Sequence, residues 1–188
     1  FGGRRREVAP LVYEARDWAH GVMIGAGMAS ETTAAAVGQV GVVRRDSMAM
    51  KPFCGYNFAD YWSHWLSFEG RAKQLPKVYH VNWFRQDKDG KFLWPGFGDN
   101  LRVLSWVIDR CEGRAKAHET PIGLLPHKED LDLKSLSLPE SALHQLLDVD
   151  TAAWHKEIDE IGKYLEEFGD RTPPALRAEY QRVKQALG

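Results

Sequence analysis

The run Asn82-Trp-Phe-Arg-Gln-Asp-Lys-Asp-Gly-Lys-Phe-Leu-Trp-Pro-Gly-Phe-Gly-Asp-Asn100 holds several structural signals in close succession. Val78–Phe84 reads as a strand leading into it. Asp89-Gly90, set between two apolar runs, is a strong hairpin signal. Pro95-Gly96-Phe97-Gly98 bends the chain sharply, and a helix follows over about Leu101–Cys111. On that helix Leu101, Leu104, Ile108 and Cys111 share one face. Strand, hairpin, bend and helix in one continuous run predict an α/β fold, a mixed sheet with packed helices.

Upstream, Leu11-Val-Tyr13 and Gly21-Val-Met-Ile24 read as short strand-type runs joined by Glu14–His20. Between Gly25 and Gly41 the chain turns small and polar. Met28-Ala-Ser-Glu-Thr-Thr-Ala-Ala-Ala36 lacks bulky anchors, so a loop of this composition should open easily. Val40–Val43 reads as a further strand. Asn57–Ser67 predicts a helix capped by Asn57, with Phe58, Tyr61, Trp62, Trp65 and Leu66 on a wide buried face. Downstream, Glu112–Asp150 reads as loop-rich, with Pro121, Pro126 and Pro139.

The C-terminal part predicts a helical hairpin. Asp150 or Thr151 caps a helix running to about Phe168, with Trp154, Ile158, Ile161, Leu165 and Phe168 as its apolar stripe. Gly169 stops it. Thr172-Pro173 starts the last helix, striped by Leu176, Tyr180, Val183 and Leu187. The expected organisation is residues 1–149 as one portion, with the hairpin of residues 150–188 packed on it.

The bulk numbers exclude several classes. At 188 residues with 44% hydrophobic and 27% charged, the chain can bury a real core and is not compositionally disordered. A formal net charge of -1 supplies no field for a nucleic-acid backbone. No stretch reaches the ~20 apolar residues of a membrane span, and no signal peptide is visible. The two cysteines, Cys54 and Cys111, read as buried reduced thiols of a cytoplasmic protein. Residue 1 is Phe, followed by Gly2-Gly3-Arg4-Arg5, which reads as part of something longer.

The chemistry concentrates where the hairpin signal lies. A hairpin at Asp89-Gly90 would bring Phe84 and Phe92 together. Gly96 and Gly98 let backbone approach a flat ligand and present Phe97 between them. Rings arranged this way can sandwich a purine, each stack contributing about 1–3 kcal/mol. An Asn amide and backbone amides near Gly98 and Asn100 could then read the base edge. The other reading is an aromatic mini-core beside a tight turn, and aromatic content alone favours it. The paired glycines around one Phe shift the balance, since a core has no need of them.

Taken together, Asn82-Trp-Phe-Arg85, Phe92–Asn100, Phe1-Gly-Gly-Arg-Arg5, Ala49-Met-Lys-Pro-Phe53 and Gly55-Tyr-Asn-Phe58 resemble the C-terminal part of GTP-dependent phosphoenolpyruvate carboxykinases. The similarity is clearest up to about Gly123. The resemblance implies the nucleotide-binding portion of that fold, and an enzyme converting oxaloacetate and GTP to phosphoenolpyruvate, GDP and carbon dioxide. It implies that Phe84, Phe92 and Phe97 sandwich guanine and that Gly98, Asp99 and Asn100 lie at the base edge, with Asn100 contacting it. Arg4 takes the position of an arginine on the terminal phosphate and is the one catalytic candidate. Ser30, Glu31, Thr32, Thr33, Ala34, Ala35, Ala36, Val37 and Gly38 fall in a mobile lid that reaches about Val43. Two positions depart from the family's commoner pattern: Asp99 for Glu, and Ala29 for an Arg, which puts a lid contact by that arginine in doubt.

The same resemblance implies Mn2+ or Mg2+, with ligands upstream of Phe1, and a monomeric enzyme whose N-terminal part is a partner of this chain. No G-x-x-x-x-G-K-[ST] pattern occurs, and none of the seven histidines has a Cys or carboxylate at ligand spacing, so no metal site is expected here. This chain by itself is expected to show no turnover. A non-catalytic guanine-nucleotide-binding or interaction module is the alternative. Single-strand nucleic-acid binding by stacked aromatics is disfavoured by the charge.

Overall fold

The computed structural model describes residues 8–31 and 42–188. A four-stranded antiparallel sheet runs in the order β4-β1-β6-β5, from strands β1 (Val12–Glu14), β4 (Tyr79–Val81), β5 (His118–Thr120) and β6 (Gly123–Leu125). Alternation along β1 and β4 sends side chains to opposite faces. Val12 and Tyr79 join one apolar cluster with Trp94, Val103 and Trp106, while Tyr13 faces a second cluster of helical side chains. On that second face the Tyr13 and His80 rings stack at 5.2 Å, and Trp154 meets Tyr13 edge-on at 6.2 Å.

The helices α1 (Trp18–Ala26), α2 (Phe58–Leu66), α5 (Thr151–Glu166) and α6 (Pro174–Leu187) build the second cluster. Helix α3 (Asn100–Cys111) covers the other face, where Trp106 meets Tyr79 at 6.0 Å and Arg110 pairs with buried Glu14 at 2.6 Å. The mixed α/β architecture expected from the sequence is therefore present.

Gly21–Ile24 corrects the sequence reading. It is helical, inside α1, and its N-cap Asp17 accepts from the His20 N–H. Trp18 and every residue from His20 to Ala26 are buried, so the helix carries no amphipathic period and looks like a buried strand. Gly21 is required by packing: a Cβ there would stand 2.6 Å from Val78 Cγ2 of the segment leading into β4.

The expected caps of α2 and α5 are present. Asn57 accepts from the Ala59 N–H and Asp150 from the Ala153 N–H. The residue expected to cap α6 does something else. Thr172 is buried and donates to the Leu165 carbonyl, and Pro173 occupies the cap position. The hairpin runs antiparallel, since Asp159 pairs with Lys184 while Gly162 faces Tyr180. The segment expected to be loop-rich holds β5, β6 and α4 (Glu140–Leu147), elements too short to leave a periodic pattern.

Two further expectations are modified. On α3 the core takes Val103 and Trp106, while the stripe of Leu101, Leu104 and Ile108 is exposed. The thiols are free but not buried: Cys54 is half-buried and Cys111 exposed. Among the described residues no helix is long and apolar enough to cross a membrane.

Candidate functional site

Asn82 anchors the decisive segment where it leaves β4. It is fully buried, its Nδ2 donates to the Ala9 carbonyl at 2.7 Å, and its Oδ1 accepts from the Phe84 N–H. The hairpin follows. Leu93 N–H donates to Arg85 O and Asp87 N–H to Lys91 O, each at 2.9 Å, with Gln86 bridged to Phe92. Asp87 Oδ1 closes the tip by accepting from the backbone of Asp89 and Lys91. Gly90 sits there at φ +79°, a conformation that Asp-Gly turns favour.

The hairpin brings Phe84 and Phe92 together, ring centroids 6.0 Å apart and inclined at 68°. Its base is held by Arg85, which is buried and donates to the Asp148 carbonyl at 3.1 Å. Burial lowers the Arg85 pKa, against the pull of Asp148 and Asp150.

Beyond the hairpin, Trp94 drops into the core and Phe97 does the reverse. Phe84 and Phe92 are 39% and 51% exposed, but Phe97 is 95% exposed. Phe97 also holds φ +49°, directly after Gly96 at φ +78°. A bulky residue in the left-handed region costs free energy of order 1–3 kcal/mol, and no packing on the ring offsets it. An aromatic mini-core would not leave a ring in that position. Residues Phe97–Asp99 form a single 3-10 turn that runs into α3.

The polar groups at this turn are more committed than the sequence suggested. The Asp99 N–H donates to Gly96 O, and the Asn100 N–H to Gly98 O and Phe97 O. The Asp99 carboxylate accepts from Arg102 Nε at 2.9 Å. The Asn100 Oδ1 accepts from the Trp94 indole at 2.9 Å. Of the base-edge candidates, the backbone amides of Asp99 and Asn100 are therefore engaged internally. The Asn100 side-chain NH2 and the Gly98 N–H, at the open start of the turn, are the donors suited to a ligand.

The lid candidates divide. Ser30 and Glu31 lie in β2 (Ala29–Glu31), paired antiparallel with β3 (Val43–Arg45). Thr32, Thr33, Ala34, Ala35, Ala36, Val37 and Gly38 lie outside the described residues, as does Arg4. The β2–β3 pair is fastened to the core. Ser30 Oγ donates to buried Asp46 at 2.5 Å, and the other Asp46 oxygen accepts from the Lys51 N–H. Ser47 accepts from the fully buried Trp62 indole at 2.6 Å. Sequence reasoning passed over Arg45, whose carboxylate partners are distant in the chain, and Asp46, which joins Ser30 of β2 to the Lys51 N–H. Among the described residues no group of three or more His, Cys, Asp or Glu side chains could hold a metal ion.

The family described as phosphoenolpyruvate carboxykinase C-terminal P-loop domain matches residues 1–186. The match continues well past Gly123, up to which the resemblance by motif is clearest. A protein of Chlamydia trachomatis named phosphoenolpyruvate carboxykinase [GTP] is 53% identical over 188 residues, covering 100% of this chain and 31% of its own length. Its namesake in Renibacterium salmoninarum is 50% identical over 190 residues, again covering 100% of this chain and 31% of the relative. The chain thus spans about a third of the relatives it matches, and with the whole of it aligned at this identity it belongs to the GTP-dependent phosphoenolpyruvate carboxykinase family.

Proposed function

We propose that this chain is the guanine-gripping and lid-bearing part of an enzyme that converts oxaloacetate and GTP to phosphoenolpyruvate, GDP and carbon dioxide. The observation that carries this reading is Phe97, strained into the left-handed region and left open to solvent between two glycines. Strain persists where surrounding structure enforces it, and an exposed strained aromatic gains its return on binding. Phe97, Phe84 and Phe92 stack on the purine, and the Asn100 amide with the Gly98 N–H meets its edge. Arg4 contacts the terminal phosphate, where a guanidinium fork stabilises charge developing during transfer.

Decarboxylation of oxaloacetate leaves an enolate, whose oxygen attacks the terminal phosphorus of GTP while the bond to GDP breaks. Ser30–Gly38 close over the reactants and exclude water from the enolate. The divalent metal that the family implies finds no ligand cluster among the described residues; its ligands are proposed in the remainder of the protein. The chain alone turns over no substrate, and the intact enzyme works as a soluble cytoplasmic monomer.

Titration of GDP into the intact protein and its Phe97→Ala variant tests the reading. Losing one stack should weaken binding by about 1–3 kcal/mol, roughly five- to 150-fold. Equal GDP affinity in both proteins would remove the guanine site from this turn.

A further inference from the structure

Trp94 and Asn100 stand on either side of the Pro95–Gly98 bend and are joined by a single hydrogen bond, indole Nε1 to Asn100 Oδ1 at 2.9 Å. An indole N–H can only donate. The amide atom facing it must therefore be the oxygen, which settles the orientation of an otherwise ambiguous side chain. Trp94 is 2% exposed and packed with Leu11, Val12, Val103 and Trp106, so its ring cannot swing away to release the amide. The Asn100 backbone N–H is already bonded within the turn. What Asn100 offers to a ligand is thus its NH2, a pure donor.

We infer that Trp94 is a specificity-determining positioning residue: it locks the Asn100 amide donor-outward, so that the site accepts purines with a carbonyl at the 6-position and rejects those with an amino group there. Guanine and hypoxanthine present an acceptor to that NH2. Adenine presents a second donor, and the locked amide cannot flip to offer its oxygen. Stacking on Phe84, Phe92 and Phe97 is indifferent to this choice, because every purine has the same π-face. The selection therefore resides in one amide whose orientation is set from beneath by a buried residue that never touches the base. This inference rests on the guanine-site reading above.

The test uses the intact protein, GTP, ITP and ATP as probes, and the Trp94→Phe variant. The variant keeps an aromatic ring in the core and loses only the donor to Asn100. With the amide free to rotate, ATP binding should strengthen relative to GTP, and the GTP-over-ATP preference should fall about tenfold, the scale of one lost hydrogen-bond mismatch. The GTP-to-ITP ratio should stay the same, since both carry the 6-carbonyl. A merely structural role would weaken all three nucleotides alike, and that outcome, or an unchanged GTP-over-ATP ratio, would overturn the inference.

Should Trp94→Phe fail to fold, Asn100→Asp serves. Trp94 then holds one carboxylate oxygen and the other faces outward as an acceptor, so preference should move toward ATP; retained GTP preference overturns the inference. Failure of the unaltered protein to bind GTP or ITP at all would instead count against the guanine site itself.

Discussion

Arg45 and Glu157, 112 residues apart, meet in a two-pronged ion pair, Nη1 to Oε1 at 2.7 Å and Nη2 to Oε2 at 3.2 Å. Both are largely buried. Arg45 also reaches Glu160 at 2.9 Å and the Gly27 carbonyl at 2.9 Å. Burial opposes its charge, but bonding and attraction to the two glutamates outweigh that and hold its pKa above the ordinary value. The last residue of β3 is thereby tied to α5. Glu157→Gln should leave Arg45 with the Gly27 carbonyl and, as its charged partner among the described residues, the exposed Glu160. Removing a fully buried partner costs about 3–5 kcal/mol, and the surviving Glu160 reduces this to roughly 1–3 kcal/mol, a melting temperature lower by about 3–10 °C. Thermal unfolding measures it, and an unmoved transition would show that the pair anchors nothing.

Ala35 lies in the proposed lid, where Gly would raise the entropy lost on closure by about 0.5–1 kcal/mol. Ala35→Gly should leave GTP binding to the intact enzyme unchanged and lower kcat roughly two- to fivefold. Steady-state kinetics and nucleotide titration separate the two effects. Full turnover in the variant would show that closure of a lid at Ala35 does not limit the reaction.

What the sequence made legible was local. Asp89-Gly90 specifies its hairpin, and Asn57 and Asp150 cap their helices, because each signal and its partner lie within a few residues. Gly21–Ile24 misleads because a helix buried on all sides loses the period that distinguishes it from a strand. On α3 the pattern marks two apolar faces, and only the position of the sheet decides that Val103 and Trp106 face inward rather than Leu104 and Ile108. At the candidate site, the approach of Phe84 to Phe92 and the bend at Gly96-Phe97 could be read directly. The commitment of Asn100 Oδ1 to Trp94 could not, since it depends on how sharply the intervening bend folds back. The Asp46 and Arg45 anchors were invisible for a related reason: their partners come from other elements.

His20 gives the molecule a pH dependence of known sign. It is buried in α1, with its Nδ1 accepting from the Arg16 N–H at 3.2 Å. Burial first, then the charges of Arg16 and Arg182, lower its pKa from 6.5 to about 3. The folded state therefore holds His20 neutral where the unfolded chain would protonate it. Its contribution is complete above pH 6.5 and is lost as pH falls toward about 3, at a limiting slope of about 1.4 kcal/mol per pH unit. Urea unfolding across this range should show that slope in the unaltered protein. His20→Asn, which cannot titrate, should be flatter by the same amount. Parallel curves for the two proteins would assign the acid sensitivity elsewhere.

Gly123 opens β6 at φ +141°, and a Cβ there would stand 2.5 Å from the Glu14 carbonyl oxygen and 3.1 Å from the Tyr13 ring. The obstacle is the backbone of β1, the strand on which both β4 and β6 pair, so it cannot rotate aside as a flexible side chain would. Gly123→Ala should combine backbone strain of about 1–3 kcal/mol with displacement of a core strand, for a total of roughly 2–4 kcal/mol. Gly90 supplies the control. It has a comparable need for positive φ, at +79°, but nothing lies within 4 Å of its would-be Cβ. Gly90→Ala should therefore show the strain alone, about 1–2 kcal/mol. Denaturant unfolding of the two variants separates conformational strain from steric conflict. If both lost the same stability, the close approach of β6 to β1 would carry no energetic weight, and Gly123 would be needed for its backbone angle only.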